Sequence, residues 1–435
     1  MPHPRRKAGS ARSAETVPGL PARRAALRLL DAVLRRGDPL EIALHAATQG
    51  LADRSDRALA HGIVAETLRR LPDLDALIDS ATPRPLPDDA KARMVLRLAL
   101  AQVLAMNIAP HAAIATALPL VDGGPRKLVH GVFGTVTRGD PVLPDPPTLP
   151  DAVRARWADQ WGEAMPVAAA TAYAARPPVD LSLRDPAETA DWAARLGGDS
   201  LAPGHVRLPE GTPVPTLPGF ADGAWWVQDI AASCPARLLG AGEQRTVLDL
   251  CAAPGGKTMQ LAAAGWRVTA VDQSKKRLER LTENLARTGL TADRVQADLR
   301  DWEPPRPADA VLLDAPCSAT GIYRRHPDVL HRIGPRQIEE LAALQAALLA
   351  RAAAWVKPGG QLVYATCSLE RAEGEEQLGR FLADHPDFTI LPPRPGELPD
   401  GMRPAPEGWL RTLPAMLAAD GGCDGFFVAR LVRTP

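Results

Sequence analysis

Two thiols, Cys317 and Cys367, stand where a chain delivers groups that react. Each follows an apolar run that reads as a buried strand. Ala310-Val311-Leu312-Leu313 precedes Asp314-Ala315-Pro316-Cys317-Ser318, and Leu362-Val363-Tyr364 precedes Ala365-Thr366-Cys367-Ser368. A buried strand ending in a polar, reactive residue usually brings it to a cleft. If the two strands are sheet neighbours, about 4.8 Å apart, both thiols reach one cleft and can take separate parts in covalent chemistry. An isolated Cys more often serves as a small buried hydrophobe. That reading is kept for Cys234, Cys251 and Cys423, with Cys251 also able to line a ligand pocket through its backbone.

Methylation of a pyrimidine C5 carbon needs such a pair. C5 is a weak nucleophile until a thiolate adds to C6; afterwards the C5 proton must leave and the thiolate must be expelled. One Cys can attack while another group promotes release, and spacing alone does not say which. Asp314 can hydrogen-bond the N3 and N4 side of a cytosine, which takes up charge as the adduct forms. Lys257, at a helix N-terminus, can tune Asp314 or a thiolate.

A methyl donor needs its own site. The first strand of the repeating region ends in Asp249-Leu250-Cys251-Ala252-Ala253-Pro254-Gly255-Gly256-Lys257-Thr258. Small residues after a first strand let backbone approach a ligand closely. The loop is neither Gly-x-Gly-x-x-Gly nor a P-loop. Asp272 ends the second strand, where an acid typically accepts from ribose hydroxyls; taken alone it is equally well a helix N-cap before Lys275. Asp298 ends the third and can accept from an adenine amino group. A nucleoside without phosphates needs acids and backbone, not a phosphate cradle, and S-adenosylmethionine fits that description.

The positioning elements follow from pattern. From about residue 246 the chain alternates strand and helix: strands at Thr246–Cys251, Arg267–Asp272, Arg294–Asp298, Ala310–Asp314, Gln361–Thr366 and Phe426–Leu431, and helices at Lys257–Ala264, Lys275–Thr288 and Ile338–Trp355. Repeated strand–helix units imply a parallel, doubly wound sheet. Residues 19–140 are helical. Leu27, Leu30 and Leu34 form one stripe stopped by Gly37; Ala60, Ile63, Val64 and Leu68 form another; Met94 to Met106 reads as a central buried helix broken by Pro110. Residues 141–150 hold five prolines and read as a stiff linker. Residues 151–235 read as a small α+β subdomain with a strand at Val179–Arg184, and residues 236–435 as the catalytic domain.

Composition excludes several classes. The 435 residues suffice for more than one domain, and an apolar fraction of 46% suits a globular core. The formal net charge is zero, so no global field argues for nucleic acid. The basic tail expected over residues 1–18 is read as disordered. Five cysteines, an odd count without Cys-x-x-Cys, argue against a disulfide framework or a structural zinc. No metal, signal peptide or membrane span is expected, and a cytoplasmic monomer with free thiols is.

At this point the chain resembles the bacterial RNA cytosine-5 methyltransferases of the 16S ribosomal RNA methyltransferase B type. The segments Leu248–Thr258, Leu313–Gly321 and Tyr364–Ser368 look like the family's cofactor motif and two catalytic motifs; Val227-Gln228-Asp229 and Asp424–Ala429 match the edges of its catalytic domain. The N-terminal helices are similar to the NusB fold, on Asp56-Arg57-Ala58, Thr67-Leu68-Arg69 and Leu96-Arg97-Leu98. The resemblance implies a multidomain fold: an N-terminal all-α, NusB-like RNA-binding domain and a C-terminal α/β, Rossmann-like S-adenosylmethionine methyltransferase domain acting on 16S ribosomal RNA. It implies Cys367 as nucleophile and Cys317 as the aid to release, with Asp314 and Lys257 beside them. Cofactor contacts carry over to Cys251, Ala252, Ala253, Pro254, Gly255, Gly256, Lys257, Asp272, Arg277, Asp298 and Asp314. Arg324, Arg325 and His326 can meet RNA phosphates or form a solvated loop. The chain departs from the family pattern at Val329-Leu330-His331-Arg332, at Gly374 and in segment 176–186. The same chemistry on transfer RNA, or a non-catalytic RNA-binding assembly factor, are the competing readings.

Overall fold

The computed structural model describes residues 17–435. The tail expected over residues 1–18 therefore lies outside the described residues but for Val17 and Pro18. The chain divides into two compact units at Pro144/Asp145, inside the Pro-rich segment. Among the described residues no helix is long and apolar enough to cross a membrane.

The first unit is helical, with helices Leu20–Arg36, Leu40–Ala47, Arg54–Arg69, Leu71–Ser80, Lys91–Leu104, Pro110–Ala117 and Gly123–Arg138. The first helix buries Ala25, Ala26, Leu29, Leu30 and Val33, a period near 3.6, and stops at Gly37 in the left-handed region with φ 72°. Leu27 and Leu34, expected with Leu30 in its stripe, pack against this core but are only half-buried. The stripe Ala60, Ile63, Val64 and Leu68 is buried throughout. The central helix ends at Leu104, short of Met106, and Pro110 opens the following helix rather than breaking this one. Proline suits a first turn, where its missing N–H has no intrahelical partner to lose. Two arginines are buried on the central helix. Arg97 makes a two-pronged bond to Asp75 at 2.7 and 2.8 Å, and Arg93 makes one to Asp79 at 2.6 and 3.0 Å.

The second unit holds two sheets. The smaller is antiparallel, from strands β1 (Val179–Leu183), β2 (His205–Leu208) and β3 (Trp225–Val227) in the order β2-β1-β3. The larger comprises β4 (Thr246–Leu250), β5 (Arg267–Asp272), β6 (Asp293–Gln296), β7 (Ala308–Asp314), β8 (Val356–Thr366), β9 (Phe388–Ile390), β10 (Leu410–Arg411) and β11 (Phe427–Arg433). Its order is β10-β11-β8-β7-β4-β5-β6, with β9 also on β11. The expectation of a fully parallel sheet is corrected. Strands β4 to β8 pair in parallel, but β11 runs antiparallel to β8. The reason lies in the route of the chain. β9 pairs with the last residues of β11 and β10 with its first, so the chain has already climbed to the end of the sheet that carries the thiols before β11 descends.

The central strands are buried on both faces, as alternating contacts show. Leu248, Leu250, Val311, Leu313, Leu362 and Tyr364 meet helix Pro335–Ala354 through Leu348, Leu349 and Ala352. Val247, Leu312, Val363 and Val428 meet helix Ile230–Arg237. At about 25 cal/mol per Å² of apolar surface removed from water, this double cover is the main force fixing the strand ends. Helices Asp151–Trp161 and Ala164–Ala174 share a core with Tyr323, Leu330 and Leu369. The Trp157 and Tyr323 rings are 5.4 Å apart, so part of segment 151–235 seats directly against the loops after β7 and β8.

Candidate active site

β7 and β8 are neighbours in register, Asp314 opposite Ala365. The loops leaving them bring the Sγ atoms of Cys317 and Cys367 to 3.4 Å, within hydrogen-bonding distance. Both thiols are half-buried. The Cys317 thiol is pushed well above its ordinary value, first by its hydrogen bond to Cys367, then by burial, then by the charges of Cys367 and Glu373. The loop geometry depends on Gly321: a Cβ there would lie 1.9 Å from the Gly425 carbonyl oxygen, while the Gly321 N–H donates to the Cys367 carbonyl at 3.0 Å. This contact carries the segment before β11 over the two reactive loops.

Lys257 follows the turn after β4 and lies in the first turn of helix Gly256–Ala263. Its Nζ donates to Asp314 Oδ2 at 2.7 Å and sits 5.4 Å from the Phe426 ring centre. Burial works against the Lys257 charge, but the Asp314 carboxylate outweighs it by charge and hydrogen bond, and the pKa rises. Beneath them Asp249 is fully buried, accepts from the Thr258 hydroxyl at 2.5 Å and, among the described residues, leaves Oδ1 without a partner. Burial raises its pKa to about 7.

The turn after β4 is tight. Cys251 has φ 60° and Gly255 φ 107°, the second of which only glycine tolerates well. Asp272 is 2% exposed; Oδ2 accepts from the Ala253 N–H at 3.2 Å and Oδ1 from the Ser274 N–H at 2.9 Å. The N-cap of helix Lys275–Thr288 is Ser274, so Asp272 is not the cap. Arg277 lies 3.4 Å from Asp272 and donates to the Ala253 carbonyl. β6 ends at Gln296, so Asp298 stands in the turn beyond the strand rather than at its end. The Arg300 guanidinium and N–H hold the Asp298 carboxyl down at about 2.

Two cavities meet at the thiols. One, of about 480 Å³, is lined by Cys251, Asp272, Arg277, Asp298 and Cys317. The other, of about 500 Å³, is lined by Lys257, Asp229, Arg325 and Phe426. Asp314 and Cys367 line both and form the wall between them. Of the expected cofactor loop, Cys251 faces the first cavity, whereas Ala252, Ala253, Pro254, Gly256 and Lys257 line the second. The first cavity suits a nucleoside: it presents carboxylates without a phosphate cradle, and Asp272 retains acceptor capacity beyond its two backbone bonds. Among the described residues no cluster could hold a metal ion.

In the basic run Arg324-Arg325-His326 after β7, both arginines have partners within the protein. Arg324 is 2% exposed and donates to the Gly421 carbonyl at 2.7 Å. Arg325 bridges Asp229 at 3.0 Å and Asp424 at 3.3 Å. Arg324 is thus held in the interior, whereas Arg325 is partly exposed and lines the second cavity. Residue types alone did not single out Glu373, a fully buried acid bonded to Ser318 and Ser368. A charged stretch ordinarily reads as a solvated face.

Comparison with known proteins accords with this arrangement. Residues 236–432 match the family model of the 16S rRNA methyltransferase RsmB/F, and residues 20–138 match the NusB family. The chain is 37% identical to Ribosomal RNA small subunit methyltransferase B of Xanthomonas campestris pv. campestris, over 95% of this chain and 98% of that protein. It is 35% identical to the protein of the same name from Erwinia tasmaniensis, over 94% and 97%. Among solved structures, PH0851 matches at TM-score 0.71 and 23% identity, covering 96% of this chain and 99% of that one. NSun6 from Pyrococcus horikoshii with SFG matches at TM-score 0.56 and 20% identity, covering 66% and 98%; at these identities both show the fold alone. With a NusB-like helical unit and a Rossmann-like catalytic unit in one polypeptide, the chain belongs to the ribosomal RNA small subunit methyltransferase B family and is an S-adenosylmethionine-dependent RNA methyltransferase.

Proposed function

We propose that the protein methylates C5 of a cytosine in 16S ribosomal RNA through a transient bond between Cys367 and C6. The observation that carries this reading is the 3.4 Å approach of the two thiols at the wall shared by two cavities. One cavity then holds the donor, with Asp272 toward the ribose hydroxyls, and the other holds the flipped-out base. When bound, S-adenosylmethionine supplies an electrophilic methyl group.

The protein's own groups do the rest. Cys367 adds to C6 as the thiolate, and the C5=C6 electron pair becomes available at C5. Asp314 accepts from the cytosine N4 amino group, and Lys257 fixes that carboxylate in place. After methylation the C5 proton goes to solvent, the double bond re-forms and Cys367 leaves with the pair from the C6–S bond. Cys317, whose raised pKa keeps it protonated, donates a hydrogen bond from its S–H to the departing sulfur and so favours release.

The test is methylation of 16S ribosomal RNA with labelled donor, followed by bisulfite sequencing of total RNA from a deletion strain. One 16S cytosine should lose protection in the deletion strain and regain it on complementation. Loss of protection only in transfer RNA would contradict the substrate assignment. Near-normal turnover by Cys367→Ala would contradict the nucleophile.

A further inference from the structure

Glu373 differs from the acids around it. It lies within the charged stretch 370–376, ends the short turn Arg371–Glu373 and is fully buried. Oε1 accepts from the Ser318 N–H at 2.9 Å and from Gln345 Nε2 at 2.9 Å. Oε2 accepts from the hydroxyls of Ser318 and Ser368. Ser318 follows Cys317 and Ser368 follows Cys367, and their hydroxyls are 3.1 Å apart. The Glu373 carbonyl accepts from the Tyr364 hydroxyl at 2.7 Å, and Gln345 also donates to the Pro316 carbonyl at 2.8 Å. One carboxylate is thus bonded to the residue immediately after each thiol, and its backbone to the strand that leads to one of them.

Four donors occupy its oxygens, and none of them is a Lys or Arg. Burying a carboxylate is costly even when it is hydrogen-bonded, and apolar residues of like volume often fill such sites with no loss of stability. An acid here, with three of its four donors on the loops that carry the thiols, points to a geometric task. We propose that Glu373 is a positioning residue of the methylation site: it clasps Pro316-Cys317-Ser318 to Thr366-Cys367-Ser368 and so sets the separation of the two thiols. This rests on the reading of Cys367 and Cys317 as the working pair. The clasp has an electrostatic side as well, because its negative charge opposes ionisation of Cys317 and helps keep that thiol a donor.

Glu373→Gln preserves size and one acceptor but turns the oxygen shared by the two hydroxyls into a donor. Displacing reacting groups by a fraction of an ångström should lower kcat for RNA methylation at least about tenfold, while the calorimetric Kd for S-adenosylmethionine stays within about twofold. The pH midpoint for alkylation of Cys317, resolved by mass spectrometry, should move down. A merely structural role would lower the melting temperature and leave that midpoint in place. Should Glu373→Gln fail to fold, Ser318→Ala with Ser368→Ala removes both hydroxyl bonds to Oε2, and with them the side-chain link to the Cys367 loop, while the Ser318 N–H bond to Oε1 stays; it should also lower kcat. A kcat within about twofold of the parent, or an unmoved Cys317 midpoint in folded Glu373→Gln, overturns the proposal. A parent protein that does not methylate RNA overturns the underlying reading instead.

Discussion

Lys257 Nζ donates to Asp314 Oδ2 at 2.7 Å, across the ends of β4 and β7, neighbouring strands far apart in the chain. The bond places a half-buried cation against the carboxylate proposed to hold the cytosine, in the cavity assigned to the base and not in the one assigned to the donor. Lys257→Met should therefore cut single-turnover methylation by roughly a hundredfold, the usual loss when one preorganised electrostatic partner is removed. Donor affinity, measured by calorimetry, should scarcely change. Equal loss of donor binding and turnover would place Lys257 on the cofactor instead.

Asp249 gives the protein a stability that depends on pH. Its carboxyl binds a proton more tightly folded than unfolded, with a pKa raised from 3.8 to about 7 by burial. Its contribution is fully present below the unfolded value and is lost as pH rises through the folded one. Between about pH 5 and 7 the loss should be on the order of 2 kcal/mol. Asp424, also raised by burial and by the charge of Asp229, acts in the same direction. Asp249→Asn should flatten the fall in melting temperature over this range, as followed by circular dichroism. An unchanged slope would show that Asp249 is not the titrating group.

In the helical unit, the buried Arg97 is held by Asp75 in two bonds of 2.7 and 2.8 Å. Arg97→Ala leaves the half-buried Asp75 without that partner and should destabilise the unit by roughly 2–4 kcal/mol. Arg97→Met, which keeps the apolar stem, should cost less than Arg97→Ala. Hydrogen exchange over residues 71–104 of the full-length protein would record the difference as faster amide exchange in the Ala variant.

Local signals made the first half of the catalytic sheet legible. β5 and helix Lys275–Thr288 fall where alternation, 3.6-residue period and Gly289 put them, and Gly289 is indeed the left-handed cap. The thiols were legible because each closes an apolar strand. What escaped depends on distant chain. Lys357-Pro358-Gly359-Gly360 reads as the end of a helix, yet β8 already begins at Val356, because a shift of register against β7 accommodates the Pro and Gly residues. The direction of β11 is set by where β10 delivers the chain, which no local pattern encodes. Arg325 and Glu373 look like solvated charges until Asp229, Asp424, Ser318 and Ser368 arrive from far along the sequence to enclose them.

The central claim is that Cys367 forms the bond to C6 and Cys317 aids its cleavage. The most direct measurement mixes Cys317→Ala protein with 16S ribosomal RNA and S-adenosylmethionine and separates the products on a denaturing gel. The expected result is a protein–RNA adduct that accumulates in Cys317→Ala and disappears when Cys367→Ala is added. An adduct that persists without Cys367, or a Cys317→Ala enzyme that turns over normally with no adduct, would contradict the account.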